Sequence, residues 1–447
     1  MKLQNINNAT TIIQSDKFKL IFDPWINGNV YNNSWSPYPK LKVNKSWYHN
    51  VTHIYISHID QDHWDIKTIK KISKDVKIII PKMKFNSLIE KTLNKIGYKN
   101  TEMLNLGKWK KINKHIKIYI IPPLNSMAQN FSYYTKFQAH SDVAVDTGLI
   151  IKDSESSTNH LILGDNSPYD IKSLKKHAQG LKFSTFWFPY NGFAQDYPLC
   201  YDAFSIEEKK KISLRLSLKR EKKLLEAIEI IKPKYLIPHS SDFILNGKRR
   251  SEFFKVHDLE FLIKKKYSKR IETKTKIISL PLYYNDEIIF KKNNENIINI
   301  KTKLNDIYRV PSQTNLKFPK VLKSKKNLFE EFSECIFAMQ ERAHRYKIPM
   351  KDIDKWVFQL KVGKENVYAD FSNFKIYKKN PDKKKFLLKL STSKNIIRCI
   401  MYKKIHIVNA ITGNYLSWER KPNIYNKFLW DMLNFFHLPV KKNQLTL

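Results

Sequence analysis

The sequence predicts an α/β protein with a sheet-on-sheet core covered by helices, followed by a smaller C-terminal α+β unit. Three observations predict it. Short β-branched runs recur through the first two-thirds of the chain, with helical spacings only between some of them. Several of these runs end directly in His or Asp, as strands do when they deliver side chains to one edge of a sheet. A hydrophobic content of 42% with 13% aromatics belongs to a folded chain rather than a disordered one.

Residues 11–14 and 18–22 read as short strands that end at Asp23-Pro24-Trp25, and an aromatic loop follows through Trp35, Tyr38 and Trp47. Val51, Ile54 and Ile56 lead into Ser57-His58-Ile59-Asp60-Gln61-Asp62-His63-Trp64-Asp65, after which Ile66, Ile69 and Ile72 share one helical face. Residues 76–81 form the next strand, and 82–96 have helical spacing that Gly97 ends. Strands are expected at 115–121, 145–151 and 160–164, the last running into Gly164-Asp165. A long helix spans 205–231 with Ile206, Ile212, Leu216, Leu224, Ile228 and Ile231 as its apolar side, and Lys232-Pro233 stops it. Residues 235–237 then deliver Pro238-His239.

The chain turns polar and irregular over 286–320, which sets the expected division: 1–285, a connecting segment 286–320, and 321–447. The last unit opens with a helix over 328–344, continues with strands at 356–360, 385–390 and 405–408, and closes with an aromatic-rich helix over 425–436.

At 447 residues there is length for two or three domains. The balance of 81 Lys+Arg against 41 Asp+Glu gives a net charge of +40, spread in short lysine runs. Compositional drift toward Lys, Ile and Asn explains this as well as an anionic partner does. Nucleic acid is disfavoured, because the basic residues are diffuse and no aromatic–basic recognition motif accompanies them. Cys200, Cys335 and Cys399 are far apart with no CxxC pair, which argues against a disulfide framework and fits a reducing cytoplasm. No signal peptide or membrane span is expected.

The chemistry rests on the 58–65 cluster. Two imidazoles and three carboxylates within eight residues repel and desolvate one another unless a cation sits among them. Mixed imidazole and carboxylate donors suit zinc, iron or manganese better than calcium or magnesium. The plain alternative is a polar turn with helix-capping aspartates. His140, Asp165 and His239, each beside a strand, supply the further His/Asp groups that a two-metal site needs.

Asp23-Pro24-Trp25, His58-x-Asp60-x-Asp62-His63, His140, Gly164-Asp165 and His239 together resemble the metallo-β-lactamase fold. The resemblance implies an αββα sandwich with two divalent metal ions at one edge of the sheets. His58, Asp60 and His140 would serve one metal, Asp62, His63 and His239 the other, with Asp165 bridging. Asp60 stands where the usual loop has a second His, which hardens the first site and brings iron or manganese level with zinc. Asp23-Pro24-Trp25-Ile26-x-Gly28, Tyr55-Ile56-Ser57-His58, Gly192-Phe193-Ala194-Gln195-Asp196-Tyr197-Pro198 and Arg420-Lys421-Pro422-Asn423-Ile424-Tyr425-Asn426 resemble more narrowly the CMP-N-acetylneuraminate hydroxylase-like branch. That enzyme carries an N-terminal Rieske domain held by Cys-x-His and Cys-x-x-His pairs, which no cysteine of this chain supplies.

The leading expectation is therefore a dinuclear metal-dependent hydrolase of an anionic small molecule, in which Asp60, Asp62 and Asp165 carry the chemistry around a metal-activated water. A non-haem diiron oxygenase fed by an external redox partner is the second, and a nucleic-acid-processing protein the third. Trp25, Trp35 and Tyr197 are candidate pocket walls, with core packing as their alternative. Arg215, with Lys219 and Arg220, is the candidate anion contact, with a solvated helix face as its alternative. The residues choose no oligomeric state.

Overall fold

The computed structural model describes residues 1–83, 86–124, 146–190, 196–292, 295–321, 326–424 and 426–439. In chain order its strands are β1 (Lys2–Asn7), β2 (Thr10–Ser15), β3 (Phe18–Phe22), β4 (Trp35–Pro37), β5 (His53–Tyr55), β6 (Lys77–Pro81), β7 (Thr101–Leu104), β8 (Trp109–Lys111), β9 (Ile116–Ile121), β10 (Gly148–Asp153), β11 (Thr158–Ile162), β12 (Thr185–Pro189), β13 (Tyr235–His239) and β14 (Phe243–Leu245). They continue with β15 (Glu287–Phe290), β16 (Asn296–Asn299), β17 (Trp356–Val362), β18 (Glu365–Asp370), β19 (Lys375–Tyr377), β20 (Phe386–Thr392) and β21 (Ser417–Lys421).

Alternation along the strands builds the layers. One sheet has the order β16-β15-β1-β2-β3-β5-β6-β7, the other β13-β12-β11-β10-β9-β8. Leu20, Phe22, Tyr55 and Ile79 of the first meet Ile118, Leu149, Ile151, Trp187 and Ile237 of the second in one buried core. Their neighbours point the other way, as a pleated strand requires. Ile21, Ile54, Ile78 and Ile80 pack outward against Ile69, Ile89, Leu93 and Tyr98. Ile150, Leu161, Phe186, Phe188 and Leu236 pack outward against Leu174, Leu224, Ile228 and Ile271. Two sheets back to back, each roofed by helices, make the αββα sandwich that the sequence leads one to expect.

The smaller unit holds a third sheet, β19-β18-β17-β20-β21, beside the helix Leu328–Arg345. Its core is shared. Phe332, Trp356, Phe358 and Met432 belong to the same apolar cluster as Trp25, Tyr31, Trp35, Leu199 and Phe243 from the first part of the chain.

Three elements differ from the sequence expectation for identifiable reasons. Residues 405–408 are not a strand. His406 caps the backbone N–H of Val408, and Ile407–Thr412 is helical, so local capping overrides a β-branched run. Within 286–320, β15 pairs with β1 and with β16, so the polar stretch extends the first sheet. The long helix runs Ile206–Ile231 behind a capping box of Ser205 and Glu208. Its first half buries Lys209, Ser213 and Ser217 rather than a clean apolar stripe, while Leu214 and Leu218 are exposed.

Two histidines far from the sheet edge report on stability. Burial pushes His160 down to about 3, helped by the chain's amino terminus, and burial alone pushes His257 down to about 3. Both stay neutral when folded, whereas the unfolded chain protonates them below about pH 6.5. The unfolded state therefore binds more protons between those values, and stability falls as pH drops through that window. Each contributes a loss of roughly 1.4 kcal/mol per pH unit below about 6. Urea midpoints should fall between pH 7 and pH 5, and His160→Gln should make that fall shallower.

Candidate metal centre

Parallel pairing brings the chemistry to one rim. β3 and β5 run parallel with Phe22 opposite Tyr55, so Asp23 and the 56–58 segment leave their sheet side by side. In the facing sheet β11, β12 and β13 run parallel, with Ile162, Trp187 and Ile237 in register, so Gly164-Asp165 and His239 leave at the same level. β10 is antiparallel to β11 with Leu149 opposite Ile162, so Asp146, just ahead of β10, joins them. Gly164 takes φ +60°, and a Cβ there would press on the Phe22 ring at 3.3 Å. Glycine is what allows the turn to Asp165 so close to the opposite sheet.

Asp23 organises the first turn. Its carboxylate accepts from the Ser57 backbone N–H at 2.7 Å and the Ser57 hydroxyl at 2.6 Å, and meets His63 Nδ1 at 2.8 Å. With the His63 Nδ1 proton directed at Asp23, Nε2 faces Asp62 and Asp165, each 3.2 Å away. His58 is set similarly, with Nδ1 2.9 Å from the Ser57 hydroxyl and Nε2 facing Asp60 at 3.6 Å and Asp146 at 3.4 Å. The two imidazole rings lie 4.1 Å apart. Asp62 is fixed from behind by Asn8 Nδ2 at 2.8 Å and by the Tyr31 hydroxyl at 2.7 Å. His239 is fully buried against Trp187, and its Nε2 has no hydrogen-bond partner among the described residues.

Burial and neighbouring charges set the protonation of each group. Burial and His63 oppose protonation of His58, yet Asp146 and Asp60 lift it to about 9. Burial likewise opposes protonation of His63, and Asp62, Asp165 and Asp23 raise it well above the usual imidazole range. Burial pushes Asp146 up to about 6, reinforced by Asp165 and Asp60 against the pull of His58. Burial and the nearby positive charge of Lys264 drive His239 down to about 3, so it is a neutral imidazole. Four carboxylates crowd the Nε2 atoms of two imidazoles, and a third buried imidazole, His239, has an Nε2 with no hydrogen-bond partner among the described residues. This donor set fits a divalent cation. Asp62, His63 and Asp165 have ligand atoms within 4.8 Å of one another, as do Asp23, His58 and His63. In the second group Asp23 is already committed to Ser57 and His63, which makes it an orienting partner rather than a donor.

The structure thus gathers His58, Asp60, Asp62, His63 and Asp165 at one rim, with His239 near enough for Asp165 and His63 to act on its charge. His140 lies outside the described residues. Trp25 is wholly buried with its indole N–H on the Gly28 carbonyl, and Trp35 is stacked on Phe243 at 3.6 Å. Tyr197 is half-buried against Trp418. Arg215 is exposed, whereas Arg220, one turn on, donates to Ser167 and acts on Asp165. Asp146 was not anticipated. In the sequence it falls inside the strand expected at 145–151, and only the start of β10 at Gly148 and its antiparallel pairing show where it points. Asn8 and Tyr31 were equally silent, because their role is contact with Asp62 across the fold.

No family model matches the chain. Among curated proteins, 221 residues are 23% identical to a Mycolicibacterium smegmatis protein provisionally named as a Rieske 2Fe-2S iron-sulfur protein, covering 47% of this chain and 39% of that one. A similarly named Mycobacterium tuberculosis protein is 27% identical over 101 residues, 22% of this chain and 19% of its own length. The matched stretches thus span about two-fifths or less of these relatives. Among solved structures, the metallo hydrolase Igni18 from Ignicoccus hospitalis aligns over 67% of this chain and 99% of its own, with 14% identity and a TM-score of 0.41. Isothiocyanate hydrolase from Delia radicum gut bacteria aligns over 65% and 99%, with 16% identity and a TM-score of 0.44. CmlA, a diiron β-hydroxylase from Streptomyces venezuelae, aligns over 66% and 54%, with 14% identity and a TM-score of 0.43. Nothing about this chain's chemistry follows from likenesses that distant.

Asp23→Asn tests the orienting role. It keeps the volume but puts a donor where His63 Nδ1–H and Ser57 need acceptors. Metal affinity should drop about tenfold to a hundredfold, measured by competition with a chromophoric chelator, while the circular dichroism spectrum stays unchanged.

Proposed function

We propose that this protein is a metal-dependent hydrolase of an anionic small molecule, with a phosphorylated or nucleotide-linked sugar as the substrate class that the sequence resemblance suggests. The reading is carried by one observation: imidazoles and carboxylates from four separated stretches of chain converge on one largely buried rim, the donor set of a divalent metal site. On this reading Asp62, His63, Asp165 and His239 would hold one divalent cation and His58, Asp60 and Asp146 the other. His140, which lies outside the described residues, would join the second set only by the sequence resemblance. When bound, the metals supply a water of lowered pKa and polarise the scissile carbonyl or phosphoryl group.

The remaining steps belong to the chain's own side chains. Asp60 is partly exposed, with its carboxylate 3.6 Å from His58 Nε2, so it is the group to take a proton from the attacking water and return it to the leaving group. Arg220 faces Asp165 from the long helix and is better sited than Arg215 to orient a substrate anion. Asp23, Asn8 and Tyr31 keep the donors aimed. Residues 1–285 form the catalytic unit in this proposal, and 321–447 its support.

A second reading is favoured by the donor set itself. Four carboxylates against three imidazoles make a hard, oxygen-rich site that suits iron or manganese as well as zinc. An oxygenase drawing electrons from a separate redox protein would use the same donors. Elemental analysis of protein purified without added metal, combined with turnover under argon, separates the two. Zinc or manganese with oxygen-independent turnover supports the hydrolase; stoichiometric iron with an oxygen requirement supports the oxygenase. On either reading Asp165→Ala and His239→Ala should lower metal content and abolish activity. Variants that retained the full metal load would refute the ligand set.

A further inference from the structure

Among the described residues, one loop ties the C-terminal unit to the rim. Tyr31, Asn32 and Asn33 are consecutive left-handed residues, with φ of 48°, 55° and 69°. Asparagine tolerates that conformation, but tyrosine rarely adopts it, so the surroundings must hold the loop in place. They do so mainly from far along the chain. The Ser34 hydroxyl donates to the Gly413 carbonyl at 2.5 Å, Trp35 Nε1 to the Thr412 carbonyl at 3.0 Å, and the Tyr415 hydroxyl to Asn32 Oδ1 at 3.1 Å. Lys317 N–H donates to the Asn32 carbonyl at 2.9 Å, and Asn246 Nδ2 to the Asn33 carbonyl at 2.8 Å. Gly413 is glycine because the Tyr415 ring occupies the space a Cβ would take.

At its other side the same loop is stitched twice to the metal loop. The Tyr31 backbone N–H donates to Gln61 Oε1 at 2.9 Å, and its hydroxyl donates to Asp62 Oδ1 at 2.7 Å. Asp62 Oδ2 is the oxygen that faces His63 Nε2. The Tyr31 hydroxyl therefore fixes one carboxylate oxygen so that the other points at the donor cluster. Tyr31 is fully buried, and its ring lies 4.9 Å from that of Trp35, which is itself tied to residue 412.

We propose that Tyr31 is a positioning residue for Asp62, and that the 412–415 turn of the C-terminal unit is the clamp that holds Tyr31 in register. The C-terminal unit is then a working part of the metal centre rather than an appended module. This inference rests on the metal-binding reading above.

The test is Mn²⁺ binding to the full-length chain, by equilibrium dialysis with elemental analysis, with melting curves to confirm folding. Tyr31→Phe keeps the ring and removes only the hydroxyl; it should weaken Mn²⁺ binding about tenfold or more. The clamp variant Ser34→Ala/Tyr415→Phe should weaken the same binding step. Added to Tyr31→Phe, it should have less than half its effect on the wild type, because the hydroxyl it acts through is gone. Wild-type affinity in Tyr31→Phe would overturn the proposal, as would a clamp effect undiminished by Tyr31→Phe. If the double clamp variant fails to fold, Tyr415→Phe alone replaces it. Asp165→Ala separates the two layers. Loss of metal in Asp165→Ala with none in Tyr31→Phe removes this inference only, whereas a wild type that binds no Mn²⁺, Zn²⁺ or Fe²⁺ removes the metal reading and this inference together.

Discussion

A carboxylate buried to zero exposure must be met by donors, and Asp23 is met by three: the Ser57 N–H, the Ser57 hydroxyl and His63 Nδ1. Those bonds join the end of β3 to the end of β5 and to the metal loop in one step. Removing one partner from a buried charged pair typically costs about 3–5 kcal/mol, so this junction is stiff compared with the loops around it. His63 cannot rotate without breaking it, and Ser57 passes the constraint to His58 Nδ1 at 2.9 Å. Thr10 closes the turn from the other side, donating to the Asp23 carbonyl at 2.6 Å and accepting from Trp25 N–H at 2.8 Å. Both imidazoles are aimed because one carboxylate is immovable.

A second buried pair backs the opposite wall. Lys264 meets Asp242 at 2.5 Å, both nearly inaccessible, and also donates to Asn5 Oδ1 at 2.5 Å and the Leu282 carbonyl at 3.0 Å. Asp242 in turn accepts from the Tyr190 hydroxyl at 2.8 Å. Burial, and after it this cation, oppose protonation of His239, which keeps that imidazole a neutral donor despite the acidic rim. Asn8 links the two walls, with its side chain on Asp62 and on the Asp242 backbone N–H at 3.2 Å. Its own backbone is left-handed at φ 47°, and its carbonyl accepts from Ser240 N–H at 3.0 Å. The donors are therefore held by hydrogen bonds to groups outside the donor set, which is what preorganisation requires.

How far the sequence revealed this depends on the range of the interaction. Apolar β-branched runs are local, so the strands at 18–22, 76–81 and 145–151 were legible, whereas β12 at Thr185–Pro189 was not read from the sequence. The 58–63 cluster was legible because its density has few benign explanations. Gly164-Asp165 and Pro238-His239 were legible because each follows a run that reads as a strand. Asp146 was not, since its position follows from which strand lies beside β10. Tyr31 read as one of many loop aromatics until its hydroxyl was seen on Asp62. The 405–408 run failed for the opposite reason: its β-branched residues are a true local signal, overruled by capping at His406 and by burial of Ile407 and Ile411 on one helical face.

The net charge of +40 and the acidic rim point in opposite directions, and their separation constrains the proposed chemistry. Spread over the whole surface, the lysines act on an approaching anion only within about 8–10 Å at physiological salt. At the rim an anion instead meets Asp60, Asp62, Asp146 and Asp165, with Arg220 as the cation that acts on Asp165. Without metal those four carboxylates repel it. Two divalent cations would cancel the formal charge of those four, and Arg220 would offset that of Asp23, so the loaded rim would no longer repel an anion. An anionic substrate and a metal-loaded site are therefore a single hypothesis: the rim can accept the first only in the presence of the second. A neutral substrate carries no such requirement, so the metal dependence of binding, measured apart from turnover, reads out the charge of what the rim is built to hold.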